Sequence, residues 1–253
     1  MNSPKILIWD IEITHNIVAK FGLQEEWIAS TNILQESYIV CAAWKWLGEK
    51  KVHSISVLDD PKLYAKDPHN DVHVVKKLHE VLSEADVIVA HNGDKFDLKF
   101  TEGRIIIHNL TPLPPLQKVD TLKVAKKRFK FNANNLNYLG KILGVGQKIK
   151  TDSGLWLQVL NGDSSAIKKM ETYNRGDVEL LEKVFKKLQP YIPNHPLKGN
   201  GVSECPRCAS KKVQSRGFAK TMTRVYRRFQ CQDCGGWFRL LKSETSIQKV
   251  RSI

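Results

Sequence analysis

The sequence predicts an α/β domain, a mixed sheet flanked by helices, followed by a small C-terminal zinc ribbon. Three observations support this. Apolar, β-branched runs open the chain; a strand-helix-strand succession follows them; and two CxxC pairs lie beyond a Pro- and Gly-rich stretch. At 253 residues the chain can bury one large core and carry an appendage. With 42% hydrophobic and 26% charged residues, its composition excludes a disordered or membrane-embedded chain.

Ile6 to Ile13 reads as a buried strand, and Tyr38–Leu47 and Val52–Leu58 read as two more, together an opening three-stranded meander. Between Asp71 and Ala85 the apolar positions Val74, Val75, Leu78, Val81, Leu82 and Ala85 recur at helical spacing. Asp86–Ala90 then reads as a short buried strand. Pro112, Pro114 and Pro115 mark a stiff, irregular connection. Val119–Thr121 reads as a last short strand, followed by helical stretches at Leu122–Lys127 and Leu136–Leu143, the latter closed by Gly144. Val178, Leu181, Val184, Phe185 and Leu188 outline a final amphipathic helix from about Ala166 to Leu188.

Pro190, Pro193, Pro196, Gly199 and Gly201 end that helix and resist regular structure. The domain boundary falls there: a catalytic-size domain over 1–190, a linker over 191–202, and a ribbon with a basic tail over 203–253. The formal net charge is +14. From Gly199 onward 12 Lys and Arg face 3 Asp and Glu, a net +9, leaving +5 for the much longer remainder. That imbalance points to a polyanionic partner met largely through the C-terminal fifth.

The amino-terminal apolar run is too short for a signal peptide, and no run reaches the roughly 18 apolar residues of a membrane span. A cytoplasmic location, or the cytoplasm of an infected host, is therefore expected, with no membrane partner. In a reducing compartment paired cysteines point to metal rather than disulfides. Cys41, alone in an apolar strand, reads as a small buried hydrophobe.

Three elements carry chemistry. Asp10 and Glu12 are two apart on the first strand, so both side chains leave one face and can meet at a cation. The stretch His91-Asn92-Gly93-Asp94-Lys95-Phe96-Asp97 directly follows a predicted strand, where α/β proteins build sites. Tyr173 and Asp177 are four apart on the final helix and share a face. Each has an ordinary reading: solvated acids at a strand end, turn residues with Asp97 as a helix cap, and a tyrosine above a surface acid.

Taken together, Asp10-x-Glu12, Asn92-x-x-x-Phe96-Asp97 and Tyr173-x-x-x-Asp177 resemble the three motifs of DEDD exonucleases of the ribonuclease-H-like superfamily. The likeness runs from about Lys5 to Leu188 and is greatest to the proofreading domain of family B DNA polymerases. It implies a ribonuclease-H-like sheet and 3′→5′ exonuclease activity. It also implies two Mg²⁺ or Mn²⁺ ions held by Asp10, Glu12, Asp97 and Asp177. No histidine lies between Met170 and Asp177, so the resemblance is to the tyrosine subclass, with Tyr173 orienting the attacking water. It further implies that Asn92 positions the terminal nucleotide and that a lysine contacts the scissile phosphate, for which Lys148 is the best-placed candidate, against a solvated surface role. Phe96 would pack near the terminal base or fill the core, and the core is the expectation. The sequence departs from the pattern where Ile13 separates Glu12 from Thr14.

Cys205-Pro-Arg-Cys208 and Cys231-Gln-Asp-Cys234 form two knuckles with 22 residues between them, the pattern of a tetrahedral structural Zn²⁺ site. The intervening segment is too small for a core, so metal would supply its folding energy. The module resembles zinc ribbons of transposase and transcription-related proteins. Its stretch Arg224-Val-Tyr226-Arg-Arg-Phe229 interleaves cations with rings, which suits phosphate contact plus base stacking. Docking of a replication or repair protein is the competing role. The reading is a stand-alone metal-dependent exonuclease acting on nucleic acid, DNA favoured over RNA and single strands over duplex. The alternative is a non-catalytic zinc-ribbon adaptor for nucleic acid or protein on a nuclease-like scaffold.

Overall fold

A computed structural model describes residues 4–22, 27–151, 154–192 and 204–240, and the backbone of 245–246. The expected linker and basic tail lie largely outside the described residues. The central sheet has five strands, β1 (Ile6–Ile13), β4 (Ile39–Trp46), β5 (His53–Ser56), β6 (Val87–Ala90) and β7 (Gln117–Asp120), in the order β5-β4-β1-β6-β7. The two pairings among β1, β4 and β5 are antiparallel, whereas β1, β6 and β7 run parallel. This is the mixed α/β sheet of a ribonuclease-H-like domain. The meander is interrupted by a short hairpin, β2 (Ile17–Val18) with β3 (Ile33–Gln35).

Helices cover both faces because strand side chains alternate. Leu7, Trp9 and Ile11 bury against α2 (Val72–Ser83) and α3 (Asp97–Ile107), in a cluster with Val75, Leu78, Leu98 and Ile105. Ile6 and Ile8, on the other face, pack with residues of α4 (Thr121–Arg128), α5 (Leu136–Ile142) and α7 (Ser164–Leu188), among them Ala125, Leu139, Leu181 and Phe185. Asp10 and Glu12 continue this second face. They therefore lie under α7, which packs on both β1 and β4. The short helices α1 (Pro61–Lys66) and α6 (Leu155–Leu160) complete the domain.

Local chemistry sets the helix ends. Asp120, Asn135 and Asp163 each accept backbone N–H bonds at the first turns of α4, α5 and α7. Gly144 follows α5 at φ +65°, the left-handed conformation that closes a helix. Asp71 at the start of α2 caps nothing with its side chain. Its buried carboxylate accepts instead from Ile39 N at 2.9 Å, from Arg104 Nε at 2.8 Å and Nη2 at 2.6 Å, and meets His108 Nε2 at 2.6 Å. It thus ties β4, α2 and α3 together. On the other face Lys45 of β4 and Glu182 of α7 form a buried pair at 2.6 Å.

The C-terminal module is a second, smaller sheet: β8 (Val213–Lys220), β9 (Arg224–Cys231), β10 (Trp237–Arg239) and β11 (Thr245–Ser246), in which β9 pairs with each of the others. Its cysteine cluster is compatible with a small ribbon. Among the described residues no helix is long and apolar enough to cross a membrane.

Candidate functional site

The carboxylates meet where β1 passes under α7. Carboxylate oxygens of Asp10, Glu12 and Asp177 lie within 4.8 Å of one another. Asp97, at the start of α3, stands outside that group; its Oδ1 accepts from Ile11 N at 3.3 Å, which holds it against β1. Three of the four expected ligands therefore converge, and the fourth sits beside them on a neighbouring element.

Burial shapes their electrostatics. It pushes Asp10 well above the ordinary carboxylate range, with Asp97, Glu12 and Asp177 adding repulsion. Glu12 is raised to about 8, by burial first and then by Asp177, against the attraction of Lys148. Asp97 rises to about 6 by burial, partly offset by backbone N–H bonds. Asp177 is also raised by burial, against the pull of Lys148. Asp177 Oδ1 is buried with no hydrogen-bond partner. Crowded, desolvated carboxylates with an orphaned oxygen are costly unless a cation completes them. The donor set fits a divalent metal ion, and its all-oxygen chemistry fits a hard one.

Tyr173 is 8% exposed and packs edge-on against Trp156. Lys148 enters from the segment after α5: its Nζ donates to Tyr173 Oη at 2.9 Å and to Asp177 Oδ2 at 2.6 Å. Burial alone would lower the lysine's pKa, but the Asp177 carboxylate outweighs it and the net direction is up. Lys148 is therefore held against Tyr173 and Asp177 with its side chain partly buried.

Asn92 sits at φ 69° in the loop between β6 and α3. Its backbone N–H donates to Asp120 Oδ1 at 3.0 Å, and its carbonyl accepts from Lys95 N and Phe96 N. Gly93 is required next, because a Cβ there would lie 2.3 Å from Ala90 Cβ. Phe96 corrects an expectation: it is 41% exposed and stacks on Phe100 instead of filling the core. It precedes the first turn of α3, where Leu98 points inward and Phe96 outward. Thr14 is buried, and its Oγ1 accepts from Tyr38 N at 3.1 Å, which commits it to strand pairing.

Two site residues were not singled out in the sequence. Asn174 is fully buried and its Nδ2 donates to Asp10 Oδ2 at 2.7 Å, linking α7 to β1. Asp120 caps α4 while fixing the Asn92 loop. Asn174 lies between Tyr173 and Asp177, so its spacing from them was the available signal.

The second cluster is Cys205, Cys208, Cys231 and Cys234, whose sulfurs lie within 4.8 Å of one another. Cys205 to Cys234 and Cys208 to Cys231 are both 3.7 Å. These separations match the edge, about 3.8 Å, of a tetrahedron with metal–sulfur bonds of about 2.3 Å. Backbone N–H groups of Cys234 and Asp233 overcome burial and bring the Cys231 thiol down to about 7. Cys41 is fully buried in β4, and burial raises its thiol.

No curated protein matches this chain. Among solved structures, the family B DNA polymerase of the hyperthermophilic archaeon Pyrobaculum calidifontis is similar, at 15% identity and a TM-score of 0.55. The likeness covers 74% of this chain and 25% of the polymerase, so the chain corresponds to about a quarter of that protein. At that identity the likeness is one of fold. The family model of the RNase H superfamily matches residues 47–189, a span that includes Asp97, Lys148, Tyr173 and Asp177 and begins after Asp10 and Glu12. With more than half of its length matched and the mixed sheet in place, the chain belongs to the RNase H superfamily.

Proposed function

We propose that the protein is a metal-dependent 3′→5′ exonuclease, acting on DNA and preferring single strands, with a zinc ribbon that binds nucleic acid. The observation that carries this reading is the convergence of Asp10, Glu12 and Asp177 within 4.8 Å, with Asp177 Oδ1 unpartnered, on a nuclease-type fold. DNA is favoured because a similar solved structure is that of a DNA polymerase.

Asp10, Glu12 and Asp177, with Asp97 beside them, would hold two Mg²⁺ or Mn²⁺ ions. Such ions, when bound, supply an activated water and neutralise charge on the leaving 3′ oxygen. Tyr173, with a pKa raised further above 10 by burial, acts as a hydrogen-bonding group that orients the water, not as a base. Lys148, cationic throughout the physiological range, neutralises the scissile phosphate from the position it takes beside Tyr173. Asn174 keeps Asp10 aimed at the site. The side-chain amide of Asn92, at the edge of the loop, positions the terminal nucleotide. The four cysteines would hold one structural Zn²⁺.

Incubation with 5′-labelled single- and double-stranded DNA and RNA, with Mg²⁺ or Mn²⁺ and then with EDTA, tests the reading. A ladder shortening from the 3′ end of single-stranded DNA, abolished by EDTA, is expected. No metal-dependent hydrolysis, or shortening from the 5′ end alone, would overturn it.

A further inference from the structure

The C-terminal module is bonded to the end of α7. Gln189 follows the helix directly and is buried; its Nε2 donates to the Arg207 carbonyl at 2.8 Å. Arg207 Nη1 in turn donates to the Trp237 carbonyl at 2.7 Å. These bonds connect the nuclease domain to β10 through the first cysteine knuckle.

Between them lies a cavity of about 440 Å³ lined by Pro190, Tyr191, Arg207, Gln230, Gly235 and Trp237, with Cys234 of the cysteine cluster also on its wall. It presents one ring from either side, Tyr191 just past the end of the nuclease domain and Trp237 in the C-terminal module. Tyr191 is 53% exposed and braced edge-on by Phe129, and Trp237 is 44% exposed. Arg207 Nε is buried with no hydrogen-bond partner among the described residues, a donor that a ligand's acceptor would satisfy.

The strand register extends this cleft into a platform. Trp237 pairs with Gln230 and Arg239 with Arg228, so Trp237 and Arg239 share a face with Tyr226, Arg228 and Gln230. On that face the Arg228 guanidinium lies 4.9 Å from the Trp237 ring centroid, and that of Arg239 lies 4.1 Å from the Tyr226 ring. Residues 204–240 carry nine Lys and Arg against two Asp and Glu. An apolar protein surface would be poorly served by rings capped with cations. Single-stranded nucleic acid needs both, rings for bases and cations for phosphates.

We propose that this cleft and the adjoining face of β9 and β10 bind the unpaired bases of single-stranded nucleic acid. Tyr191 and Trp237 stack on bases; Arg228 and Arg239 contact phosphates. The assignment deepens the nuclease reading and rests on it for the strand's direction alone. Asp177 lies twelve residues before Gln189, the residue that caps α7, about 18 Å at 1.5 Å per residue. At about 3.4 Å per stacked nucleotide, the base in the cleft is about five nucleotides from the 3′ end being cut.

The test is made in full-length protein carrying Asp10→Ala, so that substrate survives. Tyr191→Ala and Trp237→Ala should each weaken binding of an oligothymidylate by about 5- to 150-fold, the range for losing one base–aromatic stack. Tyr191→Phe and Trp237→Phe should restore it, and affinity for a blunt duplex should not change. Tyr191 lies outside the module, so Tyr191→Ala tests the site even where Trp237→Ala disturbs the ribbon. Oligonucleotides with one photoreactive bromouracil stepped inward from the 3′ end should crosslink to Tyr191 or Trp237 most strongly about five positions in. Unchanged oligothymidylate affinity in the alanine variants, an equal loss on duplex, or no crosslink at any position would overturn the site. Each of these leaves the nuclease reading standing, and absence of hydrolysis by the unmodified protein would remove that reading without altering these binding results.

Discussion

Removing one carboxylate from a crowded, partly buried group of three lowers cation affinity and mutual repulsion together. Asp10→Ala or Asp177→Ala should therefore abolish hydrolysis while nucleic-acid binding persists and the metal-free melting temperature holds or rises; full activity in both would remove the site assignment. Tyr173→Phe should slow single-turnover cleavage by about 10- to 1,000-fold with metal affinity nearly unchanged, since one orienting hydrogen bond is lost. An unchanged rate would make Tyr173 a packing residue. The raised carboxylates also set a pH dependence. Glu12 titrates near 8 in the fold against an ordinary 4.5, so the metal-free folded state holds an extra proton across that window. Stability should then fall as pH rises from about 4.5 to 8, because the unfolded chain is already ionised there. Thermal unfolding in EDTA across that range should show the fall, and Glu12→Gln should make it shallower, with Asp10, Asp97 and Asp177 supplying the remainder; an identical slope in the variant would place the titration elsewhere. The metal-ligand types were legible in the sequence because two-residue and four-residue spacings fix a face on a strand and a helix. Asn174 and Asp120 were not, because a buried amide and a capping acid look the same in sequence as any polar residue in those elements.

Elements were legible where burial imposed a period. The final helix buries Ile167, Met170, Val178, Leu181, Val184 and Leu188 along one stripe, and the sequence marks it. α3 shows no clear period in the sequence because its inward positions are Leu98, Thr101 and Ile105, while Ile106 and Ile107 are exposed and Gly103 carries no side chain. The two-residue β2 and the six-residue α1 and α6 are too short to display a period. What holds α3 in place is polar: Arg104 and His108 gather on Asp71, which has no exposed side-chain surface. Asp71→Ala would leave Arg104 with an unpaired, largely buried charge, and should cost about 3–5 kcal/mol of stability. A loss under about 1 kcal/mol in denaturant unfolding would show that the cluster is solvated in practice. Because α3 begins with Asp97, the same variant should weaken metal-dependent activity without touching a ligand.

The two modules divide the charge unevenly: net +9 beyond Gly199, against +5 for a region several times longer. The proposed catalytic side chains all precede Gln189, whereas the exposed arginines flanked by rings lie in β9 and β10. Chemistry and strand capture should therefore separate experimentally. Cys205→Ser removes one of four sulfurs, and should release the metal and unfold the module while the nuclease domain, with its own two-sided core, keeps its melting transition. Hydrolysis should persist at saturating substrate but require more of it. The salt dependence is the sharper measure. On single strands each phosphate contact contributes about 0.7 to the slope of log K against log salt concentration. Arg228→Ala with Arg239→Ala should lower that slope by about 1.4 if each guanidinium meets one phosphate, and Cys205→Ser should lower it at least as far. A module that docks a protein instead would leave both slopes at the wild-type value on naked DNA, so a salt series on the three proteins, each made inactive by Asp10→Ala, decides between strand capture and partner docking.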